Sequence, residues 1–234
     1  MIPYFAQSVF SLGPLTIHAF GVCAAAALLT GYLLVDRRAH RYALDSTRAS
    51  QVYVLLVVAG LSAGFLWNRM GGEPGISGSG SVLGCLVCVA LVAWIARPGK
   101  ASFWNTQDLY LFALPFVLTI ARVGCFLAHD HIGKRTGAWI GVRFPGGTRF
   151  DLGLLYAISA ASTAAVALWA NRKTPPAGVV SLIVIALLSL SRLATLPLGP
   201  AKAADYVIAI GAPLFAGALW LMSRLAGAET TVAG

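Results

Sequence analysis

The 234-residue chain is 58% hydrophobic and only 11% charged, where a soluble domain carries about 25% charged residues. With a mean hydropathy of +0.79 it reads as an integral membrane protein, which excludes a soluble enzyme. The net charge of +9 is no nucleic-acid signal, because the basic residues sit in short clusters between apolar runs and no aromatic-rich RNA-binding pattern accompanies them.

The N-terminal Ile2–Thr16 is amphipathic but is interrupted by Pro3, Gly13 and Pro14. It is too short to span and is expected to lie in the outer interface, with Tyr4, Phe5 and Phe10 toward lipid. A basic leader region is lacking, so no cleavable signal is expected. A membrane helix needs about 20 mostly apolar residues. Candidate spans are Ile17–Val35, Gln51–Trp67, Val82–Ala96, Leu109–Val123, Leu152–Trp169, Val179–Leu198 and Tyr206–Leu225. The expected fold is therefore all-α: one polytopic domain over residues 1–234, a bundle of seven transmembrane helices with short amphipathic outer-face segments.

Basic residues set the orientation. Arg37, Arg38, Arg41 and Arg48 follow the first span, Arg97 and Lys100 the third, Arg172 and Lys173 the fifth, and Arg224 ends the last. These loops are expected to be cytoplasmic, which puts the N-terminus outside and the C-terminus inside. Arg69, Lys134, Arg135, Arg143, Arg149 and Lys202 fall on the other face against that bias, as an anionic headgroup would require.

Between the second and third spans, Gly71–Ser81 is rich in glycine and serine. It suits either a backbone nest for an anion or a flexible loop. Cys85 and Cys88 lie one helical turn apart in an apolar run and read as packing residues. The stretch Ala121–Thr136 is the chemical centre of the chain. It carries Arg122, Cys125, His129, Asp130, His131, Lys134 and Arg135, and polar clusters in a lipid-embedded chain are costly unless they function. His129, Asp130 and His131 form a poor self-contained metal site. They suit general-base chemistry, with Asp130 setting a neighbour's tautomer, or simple loop polarity. Cys125 reads as a small packing residue or as a nucleophile activated by nearby cations. Val142–Phe150 is expected to be a hairpin bent at Pro145-Gly146-Gly147. Asp151 is placed to cap the helix that follows, and Arg192 sits inside an apolar run, where it needs a partner or a cavity.

Several of these segments together resemble the prolipoprotein diacylglyceryl transferase family. The run Phe10-Ser11-Leu12-Gly13-Pro14-Leu15-Thr16-Ile17-His18-Ala19-Phe20-Gly21 is similar to that family's N-terminus. Gly75-Ile76-Ser77, Gly80 and Gly84 resemble its glycine-rich segment. Arg122, Gly124, Phe126, Gly133 and Thr136 resemble its signature block, followed by Gly141-Val142-Arg143-Phe144-Pro145-Gly146-Gly147. Ala121, Cys125, Ala128 and Asp130 replace the Gly, Asn, Asn and Glu usual in that block. Phe20, Phe65, Ser79, Leu196 and Gly199 stand where the family usually carries other polar or charged side chains.

The resemblance implies a membrane-embedded transferase at the outer leaflet of the bacterial inner (cytoplasmic) membrane. Such an enzyme moves diacylglycerol from phosphatidylglycerol to a lipoprotein-precursor cysteine, or here to another thiol or hydroxyl acceptor, and releases glycerol-1-phosphate. It implies no metal and no dissociable cofactor. On this reading Arg122, Arg143 and Arg192 bind the anionic phospholipid, with Gly75, Ser79, Gly80 and Cys125 nearby, and His129 or Asp130 accepts the proton. An inactive lipid-binding accessory protein of the same fold is the alternative, and a transporter ranks below both.

Overall fold

The structure, a computed structural model, describes residues 1–5, 9–13, 15–72, 81, 84, 100–200 and 203–232. Helix α1 spans Ala19–Arg38, α2 Ser46–Met70, α3 Lys100–Ala128, α4 Leu152–Arg172, α5 Val179–Thr195 and α6 Ala203–Val232. Six helices among the described residues are long and apolar enough to cross a membrane. The third expected span, Val82–Ala96, lies almost wholly outside the described residues, as do Cys85 and Cys88; seven spans are therefore an expectation and six an observation.

The helices begin and end where local chemistry says they should. Asp45 caps α2 by accepting the Arg48 N–H at 2.8 Å, and Asp151 caps α4 by accepting the Leu154 N–H at 3.2 Å. Both supply an acceptor to orphan amides at a positive dipole end. Gly178, at φ 91°, turns the chain into α5. The 29-residue α3 is the axis of the bundle and packs against α1, α4 and α5. Lipid supplies no hydrophobic force between helices, so close approach relies on small residues. A Cβ on Gly124 would lie 2.8 Å from Cys23 Cβ, and one on Gly153 would lie 2.7 Å from the Phe126 amide nitrogen. These glycines hold α1 and α4 against the end of α3. Leu29, Val58, Leu66, Val207 and Phe215 stay exposed on the outside, as lipid-facing side chains do.

The all-α expectation needs one correction. The outer-face segments, expected only to be amphipathic, are strands. β1 (Ile2–Pro3), β4 (Ile132–Arg135), β5 (Val142–Phe144) and β6 (Gly147–Asp151) form a four-stranded sheet in the order β1-β5-β6-β4. β2 (Val9–Leu12) and β3 (Leu15–His18) form a separate hairpin that leads into α1. The prolines and the glycine of the first sixteen residues disfavour a helix there, and the backbone pairs instead, as unsatisfied amides near lipid must. The expected hairpin is β5-β6: Phe144 pairs with Gly147 across Pro145-Gly146, and Gly147 takes a φ of 110°.

The end of the bundle opposite the sheet is tied by one carboxylate. Asp108 is 3% exposed. Its oxygens accept the Gly178 N–H at 2.7 Å, the Ser181 N–H at 2.8 Å and the Ser181 hydroxyl at 2.6 Å. The acid of α3 thus satisfies the first turn of α5. Asp108→Ala leaves two buried amides unpaired and is expected to cost about 3 kcal/mol, read as a lower melting temperature of the detergent-solubilised protein. An unchanged melt would show that the bond does not hold α5.

Candidate active site

The site is built where α3 ends. Helical backbone stops at Ala128, and His129 adopts φ 50°, a left-handed conformation rare outside glycine. That turn sends His129 inward and Asp130 and His131 to another side. The imidazole of His129 is buried, and its Nδ1 meets Asp151 Oδ2 at 2.7 Å. Tyr4 stacks on the ring at 5.2 Å, and Phe5, Phe126 and Phe144 close the remaining sides at 4.5 to 5.5 Å. Nε2 has no hydrogen-bond partner among the described residues. Tyr4 and Phe5, expected to face lipid, form part of this box.

Beside it lies a second cluster. A ligand atom each of Cys125, Asp130 and His131 lies within 4.8 Å of the other two. His131 Nδ1 is paired with Asp130 Oδ1, and Arg122 Nη1 points to Cys125 Sγ at 3.8 Å. From Arg122 the polar line continues across the bundle. The Arg122 guanidinium lies 5.0 Å from the centre of the Tyr156 ring, and that of Arg192 lies 5.4 Å from the same ring. Arg192 donates Nη1 to the Tyr156 hydroxyl and pairs through Nη2 with Asp205 at 3.2 Å. Contributions therefore come from α3, the turn after it, α4, α5 and α6.

The geometry brings Arg122, Arg192, Cys125 and Asp130 into one neighbourhood, with His129 adjacent but enclosed. Arg143 is not part of it. It is exposed on β5 between the buried Val142 and Phe144, on the sheet's other face. Gly75, Ser79 and Gly80 lie outside the described residues. Sequence reading passed over Tyr156 and Asp205. A lone hydroxyl one turn into α4 and a lone acid opening α6 were the available signals. It weighed His131 only within the His129-Asp130-His131 triplet, not as a partner of Cys125. As a metal centre the Cys125, Asp130 and His131 set has suitable donor atoms, but the Arg122 guanidinium sits against the sulfur, where it opposes a bound cation.

His131 is partly exposed and lies beyond the end of α3. Its imidazole is pushed up to about 9, first by the hydrogen bond to Asp130 and then by that to Cys125, with burial acting the other way. It is therefore protonated near neutral pH and adds a positive charge beside Arg122.

A family model described as prolipoprotein diacylglyceryl transferase matches residues 7–222, and the chain belongs to that family. Among curated relatives, the phosphatidylglycerol–prolipoprotein diacylglyceryl transferase of Cronobacter sakazakii is 29% identical over 174 residues, covering 65% of this chain and 58% of the relative. The protein of that name from Mannheimia succiniciproducens is 26% identical over 165 residues, covering 62% and 60%. That from Actinobacillus pleuropneumoniae serotype 3 is 30% identical over 158 residues, covering 59% and 58%. The chain thus spans 58 to 60% of the length of these relatives.

The His131 pair gives a pH prediction. Its folded pKa lies above the unfolded value, so its stabilising contribution is complete below about 6.5 and is lost as pH rises through about 9. Imidazole NMR should show His131 titrating near 9 in the native chain and markedly lower in Asp130→Asn. A titration unmoved by that substitution would remove Asp130 as the cause.

Proposed function

We propose that this member of the prolipoprotein diacylglyceryl transferase family moves the diacylglyceryl group of phosphatidylglycerol to the sulfur of an acceptor cysteine, at the sheet end of the bundle. The observation that carries the reading is the convergence of Arg122 and Arg192 on one residue, Tyr156. Two guanidinium groups so held match a phosphate diester and the extra charge it gains on leaving. The relatives' names state both the lipid donor and the prolipoprotein acceptor, which supports this pairing of substrates.

In this mechanism the acceptor thiolate attacks the glycerol carbon that bears the phosphate. The carbon–sulfur bond forms as the carbon–oxygen bond breaks, and glycerol phosphate departs with the electron pair. Arg122 and Arg192 stabilise the departing phosphate. Tyr156 sets the spacing between them, and Asp205 orients Arg192. Protonated His131, with Arg122, favours the acceptor as thiolate. Asp130, whose side chain is 39% exposed, takes the thiol proton and passes it to water. His129 is a positioning residue in this scheme, because four aromatic rings and Asp151 enclose it. Cys125 packs beneath the site. Were its sulfur to take the diacylglyceryl group, the product would be a thioether, whose alkyl thiolate is too poor a leaving group for a second displacement.

The sheet end faces outward in this proposal, with the N-terminus outside and the C-terminus in the cytoplasm of a bacterial cell. The cationic rim of Arg37, Arg38, Arg41, Arg48, Arg172 and Lys173 at the other end supports that orientation.

Release of glycerol phosphate from phosphatidylglycerol vesicles, with a cysteine peptide as acceptor, tests the scheme. Arg122→Ala and Arg192→Ala should each lower the rate by on the order of 100-fold or more, the size expected when an electrostatic partner of the leaving charge is removed. Cys125→Ser should stay within a few-fold of the native protein. Lipid binding without release for any acceptor would favour an inactive binding protein, and full activity of both arginine variants would overturn the assignment.

The rate should also fall as pH rises through about 9, where His131 loses its proton. Asp130→Asn, which also removes the proton acceptor and so lowers the rate throughout, should bring that limb to lower pH. A profile flat to pH 10 would contradict the role given to His131.

A further inference from the structure

The opposite end of the bundle holds a second polar site, unconnected to the chemistry above. A cavity of about 130 Å³ lies among Arg41, Tyr42, Asn105, Asp108, Asn171 and Thr174. Two groups in its wall are buried and lack a hydrogen-bond partner among the described residues: the Tyr42 hydroxyl and the Asn171 amide nitrogen. They are neighbours, and the Asn171 side chain is close enough to act on the Tyr42 hydroxyl. Tyr42 is 8% and Asn171 4% exposed. An orphaned donor of this kind costs roughly 1–3 kcal/mol, so two in one cavity wall mark a place made for an acceptor.

The charge around the cavity selects the kind of acceptor. Asp108 lines the cavity, but its oxygens are already engaged by Gly178 and Ser181. Arg41 sits exposed beside the cavity and spends one guanidinium nitrogen on the Asn171 carbonyl. Asp108, Arg38 and Arg41 all lie within electrostatic reach of the Tyr42 hydroxyl. Two cations therefore face one carboxylate that already accepts three hydrogen bonds. Thr174 holds φ 44° at the cavity wall, an unusual conformation for a β-branched residue. Such strain persists only where the surroundings impose it. Water occupies about 30 Å³ in the liquid, so the space is several waters in size and admits one tetrahedral oxyanion.

We propose that this cavity binds a phosphate group, with the Tyr42 hydroxyl and Asn171 amide donating to its oxygens and Arg41 supplying the opposing charge. The phosphate is carried either by an anionic phospholipid headgroup from the adjacent leaflet or by a soluble phosphate ester. Binding here does not depend on the transfer reaction at the sheet end.

The test uses the full chain carrying Arg122→Ala, which disables the headgroup contact at the other end. Thermal unfolding is followed in lipid nanodiscs of phosphatidylglycerol or phosphatidylcholine, and in detergent with added glycerol-3-phosphate. Phosphatidylglycerol over phosphatidylcholine should raise the melting temperature by about 3 °C or more, the scale of a well-occupied site in a chain of this size. If the source is soluble, glycerol-3-phosphate should give that rise saturably in detergent. In either case Tyr42→Phe with Arg41→Gln should abolish the rise. Tyr42→Phe alone, in the native background, should leave glycerol phosphate release unchanged. A rise that survives the double substitution, or no rise with either probe, would overturn the proposal and leave the cavity to water.

Discussion

The sheet end depends on one hydrogen bond, that between His129 Nδ1 and the Asp151 carboxylate. Asp151 is 1% exposed and serves two elements at once. One oxygen caps α4 through Leu154, and the other holds the imidazole. The Leu152 N–H also reaches the His131 carbonyl at 2.9 Å. Residues 129–131 are thereby clamped to residues 151–152. The left-handed backbone at His129, costly by about 1 kcal/mol or more, is sustained by this clamp and by the aromatic box. That turn is what delivers Asp130 and His131 to the sulfur of Cys125. Without it α3 would run on, and the two side chains would diverge around a helix.

Charges in a bundle meant for lipid survive only when paired or turned inward. At the sheet end they run in a line from Asp130 and His131 through Arg122 and Tyr156 to Arg192 and Asp205. Each cation in that line faces an acceptor or a ring. No helix supplies the whole of it, so its geometry reports on the packing of α3, α4, α5 and α6 together. Gly153 is one reason that packing is possible, because a side chain there would strike the backbone of Phe126 and Cys125. The approach brings Tyr156, one turn further along α4, against Arg122.

The spans were legible because hydropathy is a property of consecutive residues, and the β5-β6 hairpin because Pro-Gly-Gly dictates its own turn. Asp151 was legible as a cap for the same local reason. The sheet was not. β1 pairs with β5 across some 140 residues of chain, in parallel, at Ile2 with Val142, and nothing in the first five residues announces that partner. The site was legible in half. Arg122 and Arg192 stood out as charges in apolar runs. The separate fates of His129 and His131, two residues apart, hung on one backbone angle that sequence does not display.

The positions where this chain departs from its family's usual polar pattern acquire a physical reading in the structure. An acid at position 196, one turn after Arg192, would be the local partner for that guanidinium. Leu196 is 2% exposed and apolar, and the carboxylate comes instead from Asp205, across the turn that joins α5 to α6. At position 199 a side chain would first have to displace the Leu152 methyl, which lies 2.5 Å from where a Cβ would sit. The Arg192 charge is thus balanced by a residue from a different helix. This makes its orientation sensitive to how α6 docks, where the usual spacing would make it a property of α5 alone.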